Sequence, residues 1–431
     1  VLCAGLAALL GACAQPASEA ENLTRWVDPK IGTGGHGHVF VGANVPFGLV
    51  QVGPTSIPQE WDWCSGYHES DSTVIGFSHT HLSGTGIGDL FDVTVMPVVG
   101  EVTCARGVEE NPQSGLWSYA DRSKEVVEPG YYSVPLSRYG ITAEMTATSR
   151  VGLHRYTFPA SDDAAVVFDL ENGGCWDKAT ETGFTFSEDS TRLSGWRYSM
   201  GWARDQKVYF VAEFSKPAKG ITYLQPGEPD DSKMPRIAAR YARVDFDMAE
   251  GEQLLMKVAL SPVSIEGAEA NLEAELPGWN FEATRLAADK AWNDELSKVR
   301  VETADDAAKR IFYTALYHTM VAPSEFCDAN GDYRGADGQV RPNPGYKTYT
   351  TFSLWDTYRA AMPLMTILHP EKMPDVINTM LAIADEQGRL PVWHLWGNET
   401  DCMVGNPGIP VVADAIVKGI GGFDRERAVE A

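Results

Sequence analysis

Chemistry in this chain is most concentrated around Glu399. The run Leu390-Pro-Val-Trp-His-Leu-Trp-Gly-Asn-Glu-Thr-Asp-Cys-Met-Val-Gly405 sets that carboxylate close behind Trp393, His394, Trp396 and Asn398. Tryptophan faces stack on sugar rings, and apolar walls raise a carboxyl pKa until the group holds and donates a proton. Such surroundings suit a glycosidase general acid, which needs a second carboxylate to activate water or attack the sugar. No equally persuasive second carboxylate follows before Ala431. The plainer reading is a solvated or capping glutamate beside Asn398 and Thr400, and the two indoles and the imidazole count against it.

Other groupings also invite chemistry. His36/His38 and His79/His81 are His-x-His pairs. On an extended segment both imidazoles of a pair share one face, a geometry that suits metal ligation. They equally suit hydrogen bonding to a polar ligand, to a domain interface or to the neighbouring glycine-rich loops. Trp61-Asp-Trp-Cys-Ser-Gly-Tyr-His68 packs three aromatics into one loop, with Trp61 and Trp63 as sugar platforms or core residues in even balance. Ser353-Leu-Trp-Asp-Thr-Tyr-Arg359 reads as a helix start. Ser353 would cap it, and Asp356 would be either a first-turn acid paired with Arg359 or, with Trp355 and Arg359, a grip on a sugar ring. Gly32–His38 and Ser83–Gly88 lack the lysine and following helix of a phosphate loop. Their glycines let the backbone pass close to a ligand or another loop.

The elements that must position these groups change character along the chain. Short runs rich in Val, Tyr and Phe (151–158, 164–170, 208–214, 239–246 and 253–260) are bounded by Gly, Pro, Asp and Ser, which predicts an all-β sandwich over 22–278. Glu250-Gly251 suits a hairpin turn. From 279 the pattern turns helical: 281–299, then a Thr303-Ala-Asp-Asp306 cap leading into Ile311, Phe312, Ala315, Leu316, Thr319 and Met320, then 354–368, 373–385 and 410–418.

Composition bounds the partners. With 35 basic and 59 acidic residues the formal net charge is −24, which excludes nucleic acid as a partner and suits a hard cation such as calcium. Residues 1–12 form an apolar run too short to span a bilayer, and Leu10-Gly-Ala-Cys13 is similar to a bacterial lipobox with Cys13 as the lipidated residue. An ordinary signal peptide is the alternative. Residues 1–21 are therefore read as signal and tether, and the protein as exported, lipid-anchored in the cell envelope or periplasmic. The five later cysteines are odd in number and widely spaced, which indicates neither a zinc site nor a disulfide framework.

Taken in order, Gly32–His38 with Pro46-Phe-Gly48, Trp61–His68, Gly76-Phe-Ser-His-Thr-His-Leu-Ser-Gly-Thr-Gly86, Trp355-Asp-Thr-Tyr-Arg359 and Gly397-Asn-Glu-Thr400 resemble glycoside hydrolase family 92, the exo-acting, calcium-dependent, inverting α-mannosidases. The resemblance runs from about Asn22 to Ala431. It implies an N-terminal β-sandwich, linker helices and an (α/α)6 toroid, incomplete here, over 279–431, with the active site between the domains. It implies Glu399 as the general acid. Trp355, Asp356 and Arg359 would surround the mannose, Trp61, Trp63, His79 and His81 would be the sandwich's contribution, and His394 and Asn398 would flank the acid.

The His-Leu-Trp-Gly-Asn-Glu-Thr form favours ordinary α-mannosides over phosphate-linked ones. In the family the general base is an aspartate of a later Gly-Asn-Asp-type motif, and most of the calcium shell lies there too. These 431 residues are thus expected to be a fragment, inactive alone, of an α-1,2-preferring exo-α-mannosidase acting on mannose-containing glycans. The rival readings are a non-catalytic carbohydrate-binding lipoprotein and a His-dependent metal hydrolase.

Overall fold

The computed structural model describes residues 21–59, 61–108, 110–111, 114–226 and 239–431. The signal and tether expected over 1–21, with Cys13, lie outside the described residues apart from Glu21.

Two antiparallel sheets form the N-terminal domain. The first has six strands in the order Gly53–Thr55, Gly76–Ser78, Thr94–Val99, Ser161–Asp169, Ala239–Met248 and Gly220–Pro226. The second has eight, in the order Lys178–Phe186, Arg192–Met200, Gln206–Phe214, Gln253–Ser261, Val151–Thr157, Ile141–Ala147, Tyr131–Leu136 and Val126–Glu128. The predicted runs all fall on strands of these sheets. In the first sheet Val166 stands between Val244 and Pro97, and Ala164 to Phe168 are fully buried. A strand covered on both faces loses the apolar–polar alternation of an exposed one. The turn between the strands ending at Met248 and starting at Gln253 carries Gly251 at φ +72°, as the Glu250-Gly251 pair predicts.

Eight helices follow among the described residues. The first, α1 (Ile265–Glu275), begins before the helical texture of the sequence. Ser264 caps it by accepting the Gly267 N–H, and Ala268 and Leu272 pack on Val151, Leu153, Val211 and Ala259 of the eight-stranded sheet. Its third residue is glycine, a poor helix former, which hides the helix from a propensity reading. A Cβ there would press on Ser261 Oγ at 2.7 Å and on the Asp328 carboxylate.

Helix α2 (Phe281–Leu296) is capped by Asn280 and buries Trp292 and Leu296. Helix α3 (Asp306–His318) is capped by Asp305, one residue before the acid that ends the predicted cap. It also faces differently from the expected stripe. Ile311 and Phe312 are exposed, and the buried face is Tyr313, Thr314, Leu316 and Tyr317, since two tyrosines supply the width that a count of aliphatics misses.

The predicted helix 354–368 is two helices, α4 (Leu354–Thr357) and α5 (Ala361–Leu368). Pro363 has no N–H to give and its ring would strike the carbonyl four residues back, so one continuous helix cannot pass through Tyr358–Ala360. Ser353 makes no capping bond and instead donates to the Asp356 carboxylate at 2.5 Å. Helices α6 (Met373–Gln387), α7 (Gly408–Val417) and α8 (Arg425–Glu430) complete the domain. No helix among the described residues is long and apolar enough to cross a membrane.

The two domains are stitched together by buried polar contacts. Arg150 of the sandwich reaches Glu275 at 2.6 Å and Glu325 at 3.0 Å, and donates to the Cys327 carbonyl. Trp292 donates its indole N–H to the Asn44 carbonyl at 2.7 Å. Breaking such a pair leaves a charge or a donor buried without a partner, which fixes the domains at one angle.

Candidate active site

Residues 40 apart in sequence meet in a three-stranded sheet of the helical domain, Phe352–Ser353, Trp393–Leu395 and Asn398–Glu399. Phe352 pairs with His394 and Ser353 with Trp393, while His394 pairs with Glu399. The Ser353–Arg359 and Leu390–Gly405 motifs therefore lie side by side. The hairpin between the last two strands turns at Trp396 (φ +47°) and Gly397 (φ +77°). Two left-handed residues in succession are the geometry of the tightest hairpins, and Gly397 meets it at no steric cost. Trp396 does not, and it is held there by its N–H donating to Thr350 Oγ1 at 2.7 Å and its ring set edge-on to Phe326.

Glu399 is half-buried, and its carboxylate accepts three backbone N–H groups: Val392 at 2.8 Å, Trp393 at 2.9 Å and Asp401 at 3.0 Å. The carboxylate thus meets a ring of N–H donors from its own hairpin, where the sequence predicts bare apolar walls. Trp393 and Trp396 are buried packing residues rather than open platforms. His394 is fully buried, its pKa pushed down to about 4 by burial, with Glu399 acting the other way. Its Nε2 has no partner. Asn398 spends its whole side chain on backbone: the carbonyl accepts from Asp205 N–H at 2.9 Å, and the amide donates to the Asp205 carbonyl at 3.1 Å and to that of Trp396 at 2.8 Å.

Beside this sheet lies a cleft of about 290 Å³ between the domains. Its sandwich wall is Ser83, Gly84 and Thr85; its helical wall includes His318, Asp356, Met362 and Trp393. Asp356 is exposed, and Arg359 lies over the Trp355 ring at 4.7 Å. Of the three, only Asp356 lines the cleft, while Trp355 and Arg359 pack on each other next to it along the chain.

The sandwich's predicted contribution divides in two. Trp61 is 55% exposed and donates to the Gly86 carbonyl at 2.7 Å; its ring is edge-on to His38 at 4.3 Å. His36 and His38 do share one face, and both contact the same Asp62 oxygen, at 2.7 and 3.2 Å. Those contacts, His36 first, hold the Asp62 carboxyl below its ordinary range. The Gly84 N–H donates to the His38 carbonyl, so this surface patch is tied to the cleft wall. Trp63 turns away to donate to Asp71 at 2.7 Å and stack on His68.

His79 and His81, by contrast, are core residues. Their Nδ1 atoms contact the carbonyls of Val93 (2.6 Å) and Gln51 (2.8 Å), and His79 Nε2 faces His154 at 2.9 Å. Burial pushes both pKa values down to about 4. The sequence did not single out Thr85, His318 or the methionines of α5; only the glycines around Thr85 hinted at a close approach.

Among the described residues a single group of three acids and histidines stands close enough to hold a metal ion, Glu295, His369 and Glu371. The Lys298 ammonium already lies 2.8 Å from Glu295, 2.9 Å from Glu371 and 3.1 Å from His369. A cationic side chain fills that place, and a nitrogen ligand ill suits calcium, which takes oxygens. The residues present do not fit a calcium site, and neither His-x-His pair belongs to such a group.

Comparison with known proteins bears on this geometry. The model of the glycosyl hydrolase family 92 N-terminal domain matches residues 26–261, and that of the family 92 catalytic domain matches 267–431. The chain belongs to glycosyl hydrolase family 92.

This family 92 chain superimposes on a family GH92 α-mannosidase of Bacteroides thetaiotaomicron, solved in complex with mannoimidazole, with a TM-score of 0.89 and 39% identity over 95% of its own length and 55% of that chain. A family GH92 inverting mannosidase of the same organism matches with a TM-score of 0.82 and 29% identity, covering 96% of this chain and 55% of that one. A protein described as an uncharacterized secreted glycosidase, from Arthroderma benhamiae, is 24% identical over 95% of this chain and 51% of its own length. The family 92 chain thus spans about half the length of the relatives it matches. The first family match ends at Ser261, where the last strand of the eight-stranded sheet ends, and the second begins at Gly267 in the first turn of α1.

Proposed function

We propose that this chain supplies the sandwich and the first catalytic helices of an exported, inverting exo-α-mannosidase that removes terminal α-mannose, α-1,2-linked by preference, from glycans. The observation that carries the proposal is the three-stranded sheet that joins Glu399 to the Trp355–Arg359 motif at the edge of a cleft between two domains. Interdomain clefts are where small-molecule sites concentrate. The family membership and the mannosidase structures with which the chain superimposes support the same reading.

In this reading the terminal mannose enters the cleft against Ser83–Thr85, with Asp356 and Arg359 at its hydroxyls and Trp355 beneath it. Glu399 is proposed as the group that protonates the departing glycosidic oxygen. To do so it exchanges one of its three N–H partners for the substrate. A general base roughly 6.5–9.5 Å away would activate water on the opposite face of the sugar. That base and a calcium site are proposed to come from the remainder of a protein as long as the matched relatives, which are nearly twice the length of this chain. Attachment through a lipidated Cys13 belongs to the same proposal.

The test is hydrolysis of α-1,2-mannobiose by this chain alone and by a protein extended to the length of its relatives, each with and without a chelator. Activity confined to the extended protein, and lost to the chelator, is expected. Turnover by the 431-residue chain would overturn the placement of the base. Binding of mannose without turnover in the extended protein would favour a carbohydrate-binding role instead.

A further inference from the structure

The hairpin that carries Glu399 is poorly equipped to hold itself. Within its own domain it is backed by one two-residue strand, Phe352–Ser353, and small sheets are marginal alone. Trp396, Asp401 and Met403 have positive φ values of 47°, 56° and 72°. A left-handed non-glycine residue is strained and persists where its surroundings over-determine it. Much of the outside support comes from the other domain, through the turn that joins the strands Arg192–Met200 and Gln206–Phe214.

At the root of that turn Asp89, fully buried, accepts the N–H groups of Trp202 at 2.6 Å and Ala203 at 3.1 Å. Gln206 donates to Asp92, which Arg197 also grips at 2.7 Å. The tip is therefore fixed to the sandwich core. From it three contacts reach the hairpin. The Trp202 ring lies 4.4 Å from that of Trp393, the backbone of Asp205 exchanges two hydrogen bonds with the Asn398 side chain, and Arg204 pairs with Asp401 at 3.1 Å. Trp393 and Asp401 are two of the three N–H donors to Glu399, and Asn398 is its chain neighbour.

We infer that the sandwich turn Gly201–Gln206 is a positioning clamp for Glu399, acting through Asn398 and Trp393, so that the docked sandwich sets the aim of the acid. This rests on the reading of Glu399 as proton donor. It gives Asn398 a positioning role: its side-chain oxygen and nitrogen both bond backbone.

The experiment compares two substrates in the extended enzyme. α-Mannobiose leaves as an alkoxide that needs a proton, whereas 2,4-dinitrophenolate leaves without one, so a misaimed acid slows the first and spares the second. Glu399→Gln should show that selectivity in full. Asn398→Ala should lower kcat on mannobiose roughly tenfold to a hundredfold, as a displacement of about 1 Å does, and leave the dinitrophenyl mannoside within about twofold. Asn398→Asp, which keeps the acceptor for the Asp205 N–H, should recover part of the loss. If Asn398→Ala fails to fold, Trp202→Phe should show a smaller loss with the same selectivity.

Equal slowing of both substrates by Asn398→Ala, or none, while Glu399→Gln stays selective, overturns the clamp alone. A Glu399→Gln variant without selectivity overturns the reading of Glu399 itself.

Discussion

Two regions of this molecule are written in nearly the same letters. Trp61-Asp-Trp63 with His36, His38 and His68 is one; Trp393-His-Leu-Trp396 with Glu399 is the other. In the first, the indole of Trp61 is open to solvent, and the carboxylate of Asp62 is spent on two imidazoles. In the second, both indoles and the imidazole are buried, burial pushes the imidazole pKa down to about 4, and the carboxylate takes only backbone donors. Aromatic density next to an acid therefore does not say which partner faces the substrate. The loop of the sandwich leaves one indole, that of Trp61, open to solvent, whereas the hairpin of the helical domain uses its aromatics as scaffold around Glu399.

The comparison breaks first at the carboxylates. In the extended enzyme Glu399→Gln is expected to lower mannobiose turnover by ~10²–10⁴, the range of a lost general acid, while Asp62→Asn changes it far less. Steady-state kinetics on the two variants would merge the regions if the ranking reversed.

Next come the indoles. Trp393→Ala should destabilise by about 3–5 kcal/mol, because it empties a fully buried site, and urea unfolding of this chain measures it. A cost under about 1 kcal/mol would show that Trp393 is not scaffold.

The histidines sharpen the contrast through pH. His79, His81 and His394 have folded pKa values near 4, below the ordinary 6.5. Between those values the unfolded chain binds protons that the native one refuses, so the stability they lend is present above pH 6.5 and lost as pH falls towards 4. Asp89 works the other way. Burial first, then Asp177, pushes it up to about 7, so its contribution is present below pH 3.8 and lost as pH rises to 7. The pKa of His154, fully buried beside His79, is pushed down too, while burial also raises those of Asp92, Asp169 and Asp328. The imidazoles are therefore read by difference: His394→Gln should remove about 2 kcal/mol of the change in urea stability between pH 7 and pH 5. An unaltered pH dependence in that variant would contradict the burial of His394.

The smallest effect belongs to Trp61→Ala. It removes an exposed ring and one hydrogen bond, and should cost at most about 1 kcal/mol. A loss matching that of Trp393→Ala would erase the distinction between platform and scaffold.

Much of the sandwich was legible in advance, because strands such as Val151–Thr157 and Gln253–Ser261 announce themselves by β-branched and aromatic runs between turn residues. Helix α1 was not, since Gly267 lowers the local signal in its first turn and its stability comes from the sheet beneath it. The break at Tyr358–Ala360 could have been read from Pro363 alone. At the site, the neighbourhood of Glu399 with Trp355–Arg359 followed from motif order, while the burial of His79 and His81 did not, because i, i+2 spacing fixes which face they share and not whether that face is wet.

By itself, then, the sequence determined the two textures, the order of the motifs and the residue types able to move a proton or hold a sugar, since those depend on local chemistry and periodicity. Only the tertiary structure decided which tryptophan is open and which is scaffold, and that a turn of the sandwich contacts the hairpin of Glu399. Those outcomes depend on contacts nearly 200 residues apart, such as Asp205 with Asn398, and no local pattern records them.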